Sequence, residues 1–272
     1  MYALPAVGLS LIWGVMKIVN IAHGVLALLG SYVALTLFRS FGLDPLLSAV
    51  LMLPVFFVIG LLVQRTLVRP IVSQPEISSL MILFAFTIVL ENVITRVWTG
   101  DFRAMTPSYS GVSFGFAGAN LSIVRTITFA MAVVAVFGLD AFLMRTYTGK
   151  AIRATAQNQA AAMLAGIDTD RTGLIAFGIG AALAGVAGVA LGLIYSFHPS
   201  VHILWVVKSF LVTVLGGVGN IRGAFAAGLL LGIAESFLGT YVSFRWVDFC
   251  IYGLLLLVLL VRPHGLLRGS GA

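Results

Sequence analysis

Apolar residues along this chain gather into runs separated by short polar breaks, and the runs have helical length rather than the roughly ten-residue alternation of a membrane barrel. They fall at about 3–12, 22–38, 46–63, 77–98, 121–144, 172–196, 203–215, 223–240 and 247–261. Hydrocarbon offers no partner to backbone N–H and C=O groups, so each run that crosses a bilayer must be a helix. A crossing takes about 20 residues. The runs 3–12 and 203–215 fall short of that and are predicted to be half-helices or tilted, buried segments. No internal period or pair of matching halves divides the chain, so residues 1–272 read as one transmembrane domain. The pattern predicts an all-α, polytopic helical bundle of about eight to nine helices, short ones included.

Composition agrees. The chain is 60% hydrophobic and 9% charged, against roughly 45–50% and 25% in ordinary soluble domains. Nine acids cannot coat a soluble globule of 272 residues, which excludes a free cytosolic enzyme. The net charge of +7 comes without any run of Lys or Arg and without an aromatic-basic stripe, so no nucleic-acid partner is expected. The charge is a topology signal instead. Lys17, Arg65, Arg69, Arg145, Lys150, Arg153, Arg171, Arg222, Arg262 and Arg268, 10 of the 16 positives, collect on one side of the bundle. The opposite loops hold Arg39, Arg103 and Arg245, while Arg96, Arg125 and Lys208 lie in or at the ends of runs. The positive-inside bias makes the richer side, with the C-terminus, cytoplasmic, and places Thr99 to Asn120 outside as a solvated loop. Met1 to Gly14 lack the positive leader and cleavage pattern of a signal peptide, so nothing there is expected to be removed.

The absences of catalytic pattern narrow the chemistry. Gly149 and Lys150 are followed by Ala151, and Met144 stands where a phosphate loop needs its first Gly, so ATP is not expected to bind this chain. His23, His198, His202 and His264 lie apart, and Pro199 breaks the helix that would align His198 with His202, so no metal is expected. The single Cys250 sits in an apolar run as a packing residue.

Polar residues inside apolar runs remain as candidates. Each buried acid costs about 2.5–3.5 kcal/mol on insertion scales. Asp140 and Asp248 lie near run ends and are expected to reach solvent, whereas Glu91, followed by Asn92, and Glu235 lie deeper, with Lys208 the basic residue available to them. Asn20 and His23 are three apart, on one helix face, beside a break closed by Gly24. For Glu91, Asn92, Glu235 and Lys208 the residues alone leave open structural hydrogen bonding, a polar path or proton coupling, and for Asn20 and His23 cavity lining or interhelical hydrogen bonding. Gly178, Gly180, Ala184, Gly185, Gly188 and Gly192 recur near helical spacing and read as a packing stripe, in which a moving interface would look the same. Gly216, Gly217, Gly219 and Gly223 around Asn220 and Arg222 read equally as a tight turn or a gate.

The polar stretch Arg145 to Arg171 is too short for an enzyme domain. Within it, Gly149 to Gly166 reads as one Ala-rich amphipathic helix, with Arg153 and Gln157 on its polar side and Gly166 as its cap. Its small Ala face suits docking into another subunit better than lying on lipid.

Four separated motifs carry a resemblance over nearly the whole chain. They are Gly8-Leu-Ser-Leu-Ile-Trp-Gly14; Ile18-Val-Asn-Ile-Ala-His-Gly24; Gly149-Lys-Ala-Ile-Arg-Ala154 running on to Ala165-Gly-Ile-Asp168; and Leu215-Gly-Gly-Val-Gly-Asn-Ile-Arg-Gly223 with Gly232-Ile-Ala-Glu235. In these the chain resembles the H-type permease subunits of branched-chain amino-acid ABC importers. The resemblance implies a bacterial inner-membrane subunit paired with an M-type permease, two cytoplasmic ATPase subunits and an extracytoplasmic substrate-binding protein. ATP and Mg would then sit on the partners, with no cofactor on this chain. It also implies that Gly149, Lys150, Arg153, Ala154, Gln157, Gly166 and Asp168 belong to the coupling helix seated on the ATPase, and it makes Glu235, Asn20 and His23 candidates for the path or its support.

The chain departs from the family pattern in two places. Family members usually carry further apolar sequence before the first motif, so either Met1 is a late start or the first helix is missing. The general importer pattern of Glu-Ala-Ala, three residues and Gly has here Ala160, Ala161 and Ala162 before Gly166, without the acid. Rival readings are an importer of urea, amides or aromatic acids, an ion-coupled carrier using Glu91 or Glu235, and a membrane subunit of an electron-transfer complex.

Overall fold

The structure is a computed structural model that describes residues 1–71, 74–116, 119–242 and 244–261. Nine helices lie where the apolar runs predict them: α1 (Ala3–Met16), α2 (His23–Phe41), α3 (Pro45–Val63), α4 (Glu76–Trp98), α5 (Ile123–Arg145), α8 (Thr169–Ile194), α9 (His202–Gly216), α10 (Ile221–Tyr241) and α11 (Phe244–Val261). Among the described residues, seven helical segments are long and apolar enough to cross a membrane, α3 among them when extended by a wider π turn and a 3₁₀ turn to Ile71. The chain is a multi-pass, all-α membrane bundle. At 14 residues α1 is short, as predicted, whereas α9, also predicted too short, is extended by a 3₁₀ turn from Pro199 to 18 residues and is one of the seven.

Two corrections concern the polar segments. The expected single helix over 149–166 is broken into α6 (Tyr147–Gln157) and α7 (Gln159–Leu164). Asn158 between them is extended, at φ −154° and ψ 105°, and its side chain caps α7 by accepting from the Ala161 N–H at 3.0 Å. The outer loop is exposed at most of its described positions, as expected, but is pinned more firmly than a free loop: Arg103 and Phe197 exchange backbone hydrogen bonds of 2.8 Å, and Met105 is buried. Beyond them, β1 (Ser113–Phe116) pairs antiparallel with β2 (Ala119–Ser122) as a hairpin. The molecule thus has a hairpin end and an opposite end carrying α6 and α7.

Local sequence explains the starts and stops. Asp44, before Pro45, accepts from the Leu46 N–H at 2.8 Å and starts α3; Thr146, Asp168 and Asn220 cap α6, α8 and α10 in the same manner. At the end of α1, Lys17 turns left-handed at φ 57°. Residues 18–22 then run as non-helical, largely buried backbone to the start of α2, an arrangement stable at membrane depth only because protein surrounds it.

Helix α8 is the axis. Lipid removes the hydrophobic drive between helices, so close approach through small residues takes its place. On α8, Gly180 meets Gly8 and Ile12 of α1, Gly185 meets Gly30 and Phe56, and Gly178 meets Phe57 and Gly60 of α3. A Cβ on Gly188 would overlap the Ala27 carbonyl oxygen, and Ser31 of α2 donates to the Gly188 carbonyl at 2.7 Å. The packing reading of the glycine stripe is correct for these positions.

Candidate functional site

On the other flank of α1, charged side chains come from four elements. Lys208 of α9 places its Nζ 2.7 Å from Oε1 of Glu235 on α10 and 3.2 Å from Oδ1 of Asp248 on α11. The Tyr2 hydroxyl, just before α1, donates to the same Glu235 oxygen at 3.1 Å and lies 3.1 Å from the Tyr195 hydroxyl. These groups line a cavity of about 720 Å³ that also reaches Arg125 and Thr128 on α5 and Tyr195 and Ser196 beyond α8. Lys208 and Glu235 are mostly enclosed, at 12% and 21% side-chain exposure, while Asp248 is half-exposed at 54%. Two carboxylates around one ammonium allow the cation to be carried at membrane depth, because its charge stays paired and hydrogen-bonded.

Of the six predicted path residues, then, the structure brings together Lys208 and Glu235. Glu91 pairs elsewhere: Ser200 donates to its Oε1 at 2.9 Å, and the buried His202 ring lies 4.0 Å from its Oε2, with His202 Nδ1 2.9 Å from the Pro199 carbonyl. Asn92 turns away from Glu91, is exposed, and donates to the Ile88 carbonyl of its own helix at 2.8 Å. Asn20 and His23 are fully buried, yet the shared helix face is a misreading, since Asn20 sits in the non-helical return and His23 is the first residue of α2. The Asn20 amide has no hydrogen-bond partner among the described residues; the His23 ring rests on Gly8, with the Pro5 backbone as its polar neighbour.

Two acids near run ends do more than reach solvent. Asp248, half-exposed as expected, also lines the cavity and pairs with Lys208. Asp140, near the far end of α5, receives Arg222 at 2.9 Å, so Arg222 ties the α9–α10 turn to α5. That turn is tight: Gly217 and Gly219 have φ of 87° and 79°, and the Gly219 N–H donates to Ser10 at 3.0 Å. Arg125 carried no signal beyond a charge near a run end, and only the packing of α5 against the cavity could have found it.

The second polar surface is the α6–α7 pair. Gly149 is buried so closely on the end of α5 that a Cβ would strike the Phe142 and Leu143 backbone, and Ile152 and Thr155 also face the bundle. Lys150, Arg153 and Gln157 point outward and Ala154 is half-buried. Arg153 is committed in part, donating from Nε to the Leu143 carbonyl at 3.1 Å. Gly166 takes φ 81° to end α7, and Asp168 accepts from the Arg171 N–H at 2.9 Å as the cap of α8. Both are turn-forming residues of this surface. At its tip Leu164 is 91% exposed, beside exposed Met163.

The family described as branched-chain amino acid transport system, permease component, matches residues 1–260. The chain belongs to this family. It is 34% identical, over 98% of its own length and 91% of the relative's, to the high-affinity branched-chain amino acid transport system permease protein BraD of Pseudomonas aeruginosa. It is 32% identical, with the same coverage, to the permease protein LivH of the corresponding high-affinity system in Escherichia coli. A fructose import permease protein of Bifidobacterium longum is 26% identical over 93% of this chain and 76% of its own. No solved structure matches. The relatives are transport permeases, components of systems with more than one part, and a permease of the LivM kind from Methanocaldococcus jannaschii matches 46% of the chain at 28% identity.

Proposed function

We propose that the whole chain acts as one permease domain of an ATP-driven importer of branched-chain or related hydrophobic amino acids. The reading is supported by full-length similarity to permeases of that named specificity, joined to a cavity that combines charged groups with apolar walls. Cargo enters from the hairpin end, delivered by an extracytoplasmic binding protein, and passes the Lys208–Glu235–Asp248 cluster. A second, M-type permease completes the path. The α6–α7 end, with the C-terminus, faces the cytoplasm, as the positive residues Lys17, Arg65, Arg69, Arg145, Lys150, Arg153, Arg171 and Arg222 of that end favour. There Met163 and Leu164 insert into an ATPase subunit, two of which bind ATP and Mg and do the hydrolysis. An apolar tip held on a pair of capped helices replaces the missing acid of the general importer pattern as the docking element.

Transport by this arrangement needs no covalent chemistry from the chain. Charged walls lower the cost of bringing a zwitterion to membrane depth, and nucleotide-driven movement of α6–α7 is passed to α5 and α8, against which α6 packs. The test is co-expression with the other components and uptake of radiolabelled leucine into proteoliposomes holding internal ATP. ATP-dependent leucine uptake that disappears without the chain supports the proposal; uptake driven by an ion gradient with the chain alone refutes it.

A further inference from the structure

The charged side chains on the cavity wall are two cations, Arg125 and Lys208, and two anions, Glu235 and Asp248, with the Met1 amino group beside them. Both signs on one wall suit a molecule carrying separated charges. The four are not equivalently engaged. Lys208 is clamped between both carboxylates, and Glu235 accepts from Lys208 and from Tyr2. Asp248 faces the cavity half-exposed, with lone pairs beyond those that Lys208 uses. Arg125, an exposed residue of α5 that lines the same cavity, has no ion pair or side-chain hydrogen bond to any described residue, so its guanidinium fork is open to a ligand. Phe129, Leu204, Trp205 and Val247 line the same cavity.

We propose that this cavity is a binding site for the zwitterionic head of an α-amino acid, with the carboxylate on Arg125, the ammonium on Asp248, and an apolar side chain against Phe129, Leu204 and Trp205. A guanidinium matches a carboxylate with two parallel hydrogen bonds, and a half-exposed carboxylate accepts an ammonium at less desolvation cost than an enclosed one. Lys208 and Glu235 then act as the fixed pair that keeps Asp248 oriented. The permease thereby reads the charges of its cargo itself. This assignment rests on the importer reading above and deepens it by naming the groups that hold the substrate.

The test uses the complete importer in lipid nanodiscs without the binding protein, with binding of radiolabelled leucine competed by 4-methylpentanoate, which lacks the ammonium, and by leucine methyl ester, which lacks the free carboxylate. Arg125→Gln is expected to weaken leucine and 4-methylpentanoate by about 10- to 100-fold while sparing the ester; Asp248→Asn is expected to weaken leucine and the ester while sparing 4-methylpentanoate. Arg125→Lys should recover part of the leucine affinity, which a merely structural role would not predict. Equal loss of all three ligands, unchanged leucine binding in both variants, or no leucine binding by the wild-type complex overturns the site. In the same preparations, ATP-dependent leucine uptake with the binding protein restored tests the importer reading separately: uptake at the wild-type rate in both variants leaves that reading standing and removes the zwitterion site, whereas no uptake by the wild-type complex removes the reading.

Discussion

The two flanks of α1 are built on opposite principles. Toward α8, α2 and α3 the contacts run through glycines: at Gly8, Gly30, Gly60, Gly180, Gly185 and Gly188 a neighbouring backbone or side chain fills the place that a Cβ would take. Toward α9, α10 and α11 the contacts include charge on charge around a cavity. The first gains dispersion where α8 meets its neighbours; the second is held around its cavity by groups that can exchange partners. A transporter needs both, a frame that does not yield and a wall that does.

The sharpest break in that contrast comes from the frame. Gly188→Val sets a branched side chain where the Ala27 carbonyl lies, and folded protein recovered from membranes should fall to a small fraction of wild type, by about 3 kcal/mol or more. Size-exclusion recovery after detergent extraction checks this.

On the charged flank, Lys208→Met leaves Glu235 and Asp248 facing one another without their cation. Removing one partner of a buried pair costs about 3–5 kcal/mol when fully enclosed, and less here because Asp248 is half-exposed. A lower thermal midpoint is expected, and Lys208→Met combined with Glu235→Gln should regain much of it without regaining transport.

A smaller stability effect but a clear functional one is expected at the far end. Leu164→Asp and Met163→Asp alter exposed side chains, so thermal stability should stay within about 0.5 kcal/mol, while stimulation of the partner ATPase by loaded binding protein should be lost.

The smallest effect belongs to the hairpin end. There the Tyr109 hydroxyl donates to Asp44 at 3.1 Å, and burial, with the Asp44 charge beside it, pushes the phenol up to about 12. A raised acid contributes stability below the ordinary tyrosine pKa of about 10 that is lost as the pH climbs through 12. Tyr109→Phe should remove this alkaline dependence, read as the change in thermal midpoint between pH 9 and about 12, and leave uptake intact.

Much of the bundle was legible because membrane helices announce themselves by length. All nine apolar runs correspond to helices, and the shortness of α1 was visible as missing residues, while the 3₁₀ turn that lengthens α9 was hidden behind Pro199. The break at Asn158 had a signal, an Asn able to cap a new helix, that the surrounding Ala and Gln masked. The cavity was legible only in part. Lys208 and Glu235 stand out as charges inside apolar runs; Asp248 does reach solvent, as its place near a run end implies, but its pairing with Lys208 depends on the packing of α11 against α9 and α10, which the sequence does not show. Asn92 failed for a related reason: adjacent residues on a helix point about 100° apart, so a neighbour of Glu91 need not share its direction.

The account stands most directly on leucine uptake by the reconstituted importer carrying Lys208→Met with Glu235→Gln. The charges would be removed together and the fold retained. A drop of about 10-fold or more, with ATP hydrolysis still stimulated by the loaded binding protein, is the predicted result. Uptake at the wild-type rate would contradict it and place the path elsewhere in the bundle.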